Sequence, residues 1–452
     1  MEMNDGRREF LKTGAMAAAA TAVPEVLRAL GAPHVATGAN DRVRVGIVGL
    51  GSRGFSLLER LVHIENVDIT ALSAARADHI DRALALLAGF GGPAPATFSG
   101  GDEDWKRLCE RDDVDIVYVC TQWDLHAPIA CHAMESGKHA AVEVPAARTI
   151  DECWRLVEVS ERTRRHCRML ENCCYDFFEL LTLNLARQGF FGEIVHCEGA
   201  YIHHIVEENF SKTAHHRQWR LRENLRHGNL YPTHGLGPLC QLMNINRGDR
   251  MDYLVSLSGA DFGMGARARE LAAGDPFFKP FEGGNFRGNM NTTTIRTLRG
   301  RTIMLQHDVT SPRPYSRIHL VSGTRAFALK YPEPERIAIG ERWLSTDEMQ
   351  EIRERFTPEI VTRIGAAAER IGGHGGMDFL MNWRIIDCLR NGLPMDDDVY
   401  DAALWSSIAP LTEQSVANRS AAVDVPDFTR GGWETNRPVG VSLEGGGTTG
   451  VR

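Results

Sequence analysis

The run Arg42 to Gly54, RVRVGIVGLGSRG, constrains the fold of this chain more than any other stretch. A short Val/Ile-rich segment breaks into Gly49, Gly51 and Gly54, the spacing at which a β-strand turns into a helix beneath a dinucleotide. Glycines there let the backbone turn tightly and approach a pyrophosphate, whose charge the amides at the helix N-terminus stabilise. Taken alone, the pattern equally describes an ordinary strand-to-helix turn. Its surroundings favour the nucleotide: an amphipathic segment, Phe55 to Val62, follows, and then a second strand-like run, Val67 to Leu72, at βαβ distance.

The alternation continues through the apolar Val114 to Cys120, a helical Leu125 to Ser136, His139 to Val144, a charged helix near Asp151 to Thr163 and a short strand, Cys167 to Asn172. This predicts a Rossmann-type, doubly wound parallel sheet over residues 41–175. Asp176 to Gln188 reads as a helix leading out of it. Glu193 to Ile202, Tyr253 to Ser258, Asn291 to Leu298, Thr302 to Val309 and Arg317 to Leu329 are then strand-like, with hairpin-length turns such as Arg299-Gly300-Arg301. Strands without helices between them predict an α+β domain with a mainly antiparallel open sheet over residues 176–439. Met377 to Arg390 and Ala402 to Val416 are expected to be helices that return onto either domain. The Gly-rich tail, 440–452, is expected to be mobile.

The net charge of −8, from 51 basic and 59 acidic residues mixed along the chain, leaves no basic stripe for a phosphate backbone, so nucleic acid is excluded as a partner class. Residues 1–40 contain Arg7-Arg8-Glu9-Phe10-Leu11-Lys12 ahead of an Ala-rich apolar run, the order of a twin-arginine export signal; an ordinary N-terminal helix is the competing reading. The run is too short for a permanent bilayer span. Export by that machinery, to the periplasm, moves folded protein, which suits a tightly held cofactor. The ten cysteines are scattered, apart from adjacent Cys173-Cys174, and include no Cys-x-x-Cys pair; they are read as small buried hydrophobes, not disulfides.

Polar residues follow three strand-like runs, where ligands of open α/β sheets bind. These are Trp123, Asp124 and His126 in the loop Gln122 to His126; Glu143, ahead of Val144 and Pro145; and Asn172. Trp123 and His126 are placed to touch a nicotinamide or its ribose, against the alternative of a loop-packing Trp and a helix-capping His. In Gly228-Asn229-Leu230-Tyr231-Pro232-Thr233-His234-Gly235, His234 suits exchange of a hydroxyl proton and Tyr231 a hydrogen bond or acid role; a capping Thr with a buried His competes. The pairs His203-His204 and His215-His216 point to opposite faces of a strand, and no zinc spacing occurs, so no metal is expected. There is no Gly-x-Ser-x-Gly elbow.

These motifs together resemble the glucose-fructose oxidoreductase, inositol dehydrogenase and rhizopine-catabolism superfamily. A narrower resemblance covers nearly the whole chain beyond the leader. Leu170 to Tyr175 (LENCCY), Asn229 to Gly235 (NLYPTHG), Met243 to Gly248 (MNINRG), Thr310 to Tyr315 (TSPRPY) and Gly373 to Asp378 (GHGGMD) are similar to glycoside hydrolase family 109, whose characterised activity is α-N-acetylgalactosaminidase. The resemblance implies NAD used and regenerated in each turnover: oxidation of the sugar 3-hydroxyl, elimination of the glycosidic oxygen, addition of water, and return of hydride, without the usual carboxylate pair. It also implies Gly49, Gly51, Ser52, Arg53, Gly54, Trp123 to His126, Glu143, Val144 and Asn172 around the cofactor. Around a terminal N-acetylgalactosamine it implies Tyr201, Arg220, Tyr231, Pro232, Thr233, His234 and Tyr315. Val144 stands where superfamily dehydrogenases carry a proton-removing lysine, which leaves His234, with Tyr231, as the catalytic candidate; Tyr175 is a further acid/base candidate. A homodimer is expected by the same analogy.

Ala74 stands where the family places the aspartate that grips the adenosine ribose, a loss that relaxes the bar to NADP. Two other readings compete with the hydrolase: a net NAD(P)-dependent sugar dehydrogenase, and a non-catalytic sugar- or nucleotide-binding protein on the same scaffold.

Overall fold

The computed structural model describes residues 42–215 and 218–452. The expected export signal, residues 1–40, and His216 lie outside them. Six strands, β1 (Val43–Val48), β2 (Val67–Ser73), β3 (Ala96–Phe98), β4 (Ile116–Val119), β5 (His139–Val142) and β6 (Cys167–Met169), form one sheet in the order β3-β2-β1-β4-β5-β6. Every pairing is parallel. Because helices cover both faces, β4 and β5 are buried at every position and carry unbroken apolar runs. The strand order reverses between β1 and β4, which opens a crevice at their carboxyl ends.

The second sheet has nine strands: β7 (Ile194–Ile202), β8 (Met251–Ser258), β9 (Asn291–Thr297), β10 (Thr302–Asp308), β11 (Leu320–Gly323), β12 (Ala326–Leu329), β13 (Arg336–Ile339), β14 (Arg342–Trp343) and β15 (Val423–Asp424). Their order is β14-β13-β12-β11-β7-β10-β9-β8-β15, antiparallel except for β7 with β10. The single run expected over Arg317 to Leu329 is instead the hairpin β11–β12, because Thr324 and Arg325 turn the chain after Gly323, whose Cα lies so close to Phe191 O that a Cβ would come within 2.2 Å of it.

Two long C-terminal helices join the sheets. Met377–Asn391 is buried from Met377 through Leu389 and packs on the first-domain helix Ser52–Leu61. Val399–Ala417 packs on the Rossmann helix Ile150–Thr163 and on β8 at once. The tail from Gly440 was expected to be mobile; its last residues are instead tied down by hydrogen bonds. Asp387, a fully buried carboxylate, accepts hydrogen bonds from the amides of Gly447, Thr448 and Thr449 and from Thr449 Oγ1. Val451 then bridges Ile64, and Arg452 N donates to His63 O at 2.8 Å. Burying that charge without donors would cost far more than ordering the glycines.

Candidate active site

A cleft of about 680 Å³ runs along the carboxyl ends of β1, β2, β4 and β5 and continues under β7. Its nucleotide half is made by backbone. Gly49, at φ +91°, passes so near β4 that a Cβ would sit 2.4 Å from Cys120 O; Gly54 lies against Gly49 O, where a Cβ would be 1.9 Å away. Gly51 has no atom within 4 Å of a notional Cβ and faces open cleft, the close approach a phosphate needs. Gly49, Gly51, Ser52 and Arg53 line the cleft while Gly54 holds helix to strand, a division of labour its spacing implies. Trp123, Leu125, His126, Glu143, Val144 and Asn172 also line it; Asp124 does not, and instead accepts from Gln122 Nε2 at 3.2 Å. His126 uses both ring nitrogens on backbone, facing Pro145 O at 2.7 Å and Thr121 O at 3.0 Å, so it pins the turn. Burial holds its pKa below the ordinary histidine value.

Arg53 carries the largest ionic network in the cleft. Its Nε donates to Glu143 at 2.6 Å and its Nη1 to Asp378 at 2.7 Å, while Asp378 also accepts from Asn172 Nδ2 at 2.6 Å and faces His374 Nδ1 at 2.8 Å. Burial alone would raise the Asp378 carboxyl; Arg53 and His374 hold it far below the ordinary carboxylate range. Asp378 and His374, from the GHGGMD motif, were not foreseen as site residues: their approach depends on the return of Met377–Asn391 to the first domain.

At the far end, Tyr201, Arg220, Tyr231 and His234 converge as expected. The helix Thr233–Leu242 lies against β7 through two glycines: a Cβ on Gly199 would be 2.5 Å from Gly235 O, and one on Gly235 2.4 Å from Ala200 N. That contact of backbones sets His234 5.6 Å, ring to ring, from Tyr201, and Tyr231 4.5 Å from Tyr201. Trp123 and Trp219 extend the aromatic wall at 5.2 Å. Tyr201 OH lies 2.9 Å from His203 Nδ1. Burial raises the Tyr231 pKa well above the ordinary tyrosine value, so its hydroxyl stays protonated.

His234 Nδ1 lies 2.7 Å from Glu171, which is fully buried. Burial would raise the Glu171 carboxyl, yet His234 and the Cys173 amide, at 3.1 Å, hold it below its usual value. An ionised acceptor there puts the neutral imidazole's proton on Nδ1 and leaves the Nε2 lone pair as the free base. Glu171 was quoted only as part of a motif; the signal that singles it out is its place two residues after the end of β6, one residue before Asn172. Glu171, Cys173 Sγ and His234 each bring one donor atom within 4.8 Å of the others.

Four expected residues stand elsewhere. Tyr175 is buried in the core, donating from its hydroxyl to Asp396 at 2.8 Å and accepting from Arg168 Nη1 at 3.3 Å, so it touches no cleft ligand. The short 3₁₀ turn Asn172–Tyr175 aims Asn172 and Tyr175 to different sides. Pro232 and Thr233 begin the His234 helix without lining the cleft. Tyr315 is exposed and outside the cleft lining, edge-on to His203 at 5.0 Å and to Tyr201 at 6.3 Å. On the nucleotide rim, Ser73, Ala74 and Ala75 supply no acid, while Arg76 is paired with Asp78, on the following helix, at 2.6 Å.

A parallel sheet in this order with a glycine cradle at its switch point, joined to an open mixed sheet that closes a polar and aromatic cleft, defines the class of two-domain NAD-binding oxidoreductase scaffolds. Residues 43–170 match the oxidoreductase family with an NAD-binding Rossmann fold. Residues 175–435 match the glycosyl hydrolase 109 C-terminal domain, and the chain belongs to glycoside hydrolase family 109. It is 50% identical over 400 residues, 87% of this chain and 93% of the relative, to an alpha-N-acetylgalactosaminidase of Bacteroides fragilis. It is 44% identical to a glycosyl hydrolase family 109 protein of Shewanella pealeana, over 98% of this chain and 99% of that one. Among solved structures, levoglucosan dehydrogenase in complex with NADH and levoglucosan shares the fold at TM-score 0.62 and 16% identity, over 85% of this chain and 100% of that one. Scyllo-inositol dehydrogenase from Lactobacillus casei with bound NAD(H) and scyllo-inositol does so at 0.59 and 13%, over 85% and 99%.

Proposed function

We propose that this glycoside hydrolase cleaves terminal α-N-acetylgalactosaminides by an oxidation, elimination, hydration and reduction cycle. The glycine cradle fits a dinucleotide, and a bound nicotinamide supplies reversible hydride transfer at carbon 3 of the sugar. His234, its Nδ1 proton directed at Glu171, takes the 3-hydroxyl proton through Nε2 and gives it back at the end. The resulting ketone acidifies the hydrogen on carbon 2; His203, which lines the cleft, takes that proton and later returns it, while Tyr231, kept protonated by burial, protonates the departing glycosidic oxygen and is reprotonated by the water that adds. Water then adds at carbon 1, carbon 2 regains its proton and carbon 3 its hydride, so the net reaction is hydrolysis. Trp123, Trp219 and Tyr201 offer ring faces to the sugar and Arg220 a cation. The observation that carries this reading is the 2.7 Å His234–Glu171 pair opening on the glycine-cradled cleft, with Val144 in the lysine's place.

An aryl α-N-acetylgalactosaminide in deuterated water tests it. Released phenol, deuterium at carbon 2 and no accumulated reduced cofactor are expected; reduced cofactor with an intact glycoside overturns the reading. The same reading takes NAD as the resident cofactor, with NADP tolerated because no carboxylate at Ala74 repels a 2′-phosphate. It also takes residues 1–40 as an export signal. Replacing Arg7 and Arg8 by lysine is expected to retain the protein inside the cell, and undiminished export overturns that part.

A further inference from the structure

We propose that Glu171, Cys173 and His234 form a binding site for a thiophilic divalent cation, Zn²⁺ above all, and that its occupation switches the catalytic histidine off. The three donor atoms already lie within 4.8 Å of one another. Zinc bonds of about 2.0–2.3 Å to N, O and S place tetrahedral ligands roughly 3.3–3.7 Å apart. The His234–Glu171 separation of 2.7 Å therefore opens by about half an ångström while Cys173 Sγ closes in. A carboxylate and a thiolate offset the charge of a divalent ion, and a mixed N, O, S set favours Zn²⁺ over Mg²⁺ and Ca²⁺, which prefer oxygen. His234 borders the cleft, so the ion has a route inward.

The consequence is chemical. Without metal, Nδ1 carries the imidazole proton toward Glu171 and Nε2 presents a lone pair. A metal on Nδ1 needs that nitrogen's lone pair, so the proton moves to Nε2 and His234 faces the sugar as a donor unable to accept a proton. Binding releases one proton, that of the Cys173 thiol, to the solvent. The inhibitory half rests on His234 being the base; the site itself does not.

The test uses the full chain with NAD, stripped of metal. Zn²⁺ at concentrations on the order of micromolar is expected to inhibit aryl glycoside hydrolysis reversibly, with chelator restoring the rate and millimolar Mg²⁺ without effect. Cys173→Ser and Cys173→Ala are expected to raise the half-inhibitory Zn²⁺ concentration at least about ten-fold and to keep the metal-free rate. Co²⁺ as a probe is expected to show a thiolate-to-metal charge-transfer band in the wild-type chain and none in the variants. No such band, equal zinc sensitivity in the variants, or bound metal with an undiminished rate overturns the proposal. The wild-type cobalt band decides the site even where a variant fails to fold. A metal-free chain that does not hydrolyse the glycoside counts against the reaction, while the cobalt band still reports the site.

Discussion

The two ends of the cleft are built in opposite ways. At the nucleotide end the chain removes side chains: Gly49, Gly51 and Gly54 bring backbone amides and one helix N-terminus to an open space. At the sugar end it gathers them, with Tyr201 from β7, Arg220 from a short helix, His234 from a helix start, Glu171 behind it from the turn after β6, and His374 from a 3₁₀ turn more than a hundred residues on. A site made of backbone tolerates change in its neighbours and fails when a Cβ is added. A site made of converging side chains fails one group at a time, each with its own kinetic signature.

The largest expected break is therefore at His234. His234→Ala is expected to lower kcat by about 10³-fold or more while the protein still retains NAD, read by turnover and by cofactor absorbance after gel filtration. Near-normal turnover would remove the base role. Glu171→Gln sharpens the point, since it keeps the shape but no longer holds the Nδ1 proton as an anion. It is expected to cost roughly 10²-fold in kcat with little change in KM. Equal loss in kcat and cofactor retention would make Glu171 merely structural.

The contrast also explains what was legible from sequence. The glycine cradle and the residues after β4, β5 and β6 are local signals, because strand ends and turn chemistry lie within a few residues of each other; they line the cleft, save Gly54 and Asp124. The catalytic pair was half legible: His234 stood out by its chemistry, but Glu171 lies 63 residues away, and it is the close packing of the Thr233–Leu242 helix, Gly235 on Gly199 and Gly237 on Glu171, that brings the two together. Tyr175 misled because a tyrosine beside a site motif reads alike whether it faces cleft or core; Arg168 and Asp396, 7 and 221 residues distant, decide that it faces the core. The tail misled for a related reason, since its glycines advertise flexibility while Asp387 supplies the acceptor that fixes them.

Arg53 tests where the two ends meet. Arg53→Met leaves Glu143 and the fully buried Asp378 without their cation, a change expected to cost about 3 kcal/mol or more of stability. Asp378 is held below its unfolded value of about 3.9, so its contribution is complete above that pH and lost as pH falls through and below it toward the folded value. Wild type is therefore expected to lose stability to acid below about pH 4, and Arg53→Met to lose this component of the pH dependence, as measured by urea midpoints between pH 3 and pH 7. Parallel curves for the two would place the stabilisation elsewhere.

The smallest expected effect lies at the nucleotide rim, where the backbone-made end has one side-chain question left. Arg76 is the only cation among the rim residues Ser73 to Arg76, and its guanidinium makes two hydrogen bonds to Asp78, at 3.0 and 2.6 Å. Both side chains are exposed, so the pair is weak and solvent-screened, yet a 2′-phosphate would have to draw Arg76 from it beside a carboxylate of its own sign. Asp78→Ala is thus expected to improve NADP affinity roughly two- to five-fold and leave NAD affinity unchanged. Ala74→Asp is expected to do the reverse, strengthening NAD and repelling NADP. Titration of cofactor-stripped protein with both nucleotides reads the two variants together. If neither moves the ratio, the ribose is held away from Ala74 and Arg76, and selectivity belongs to another part of the cradle.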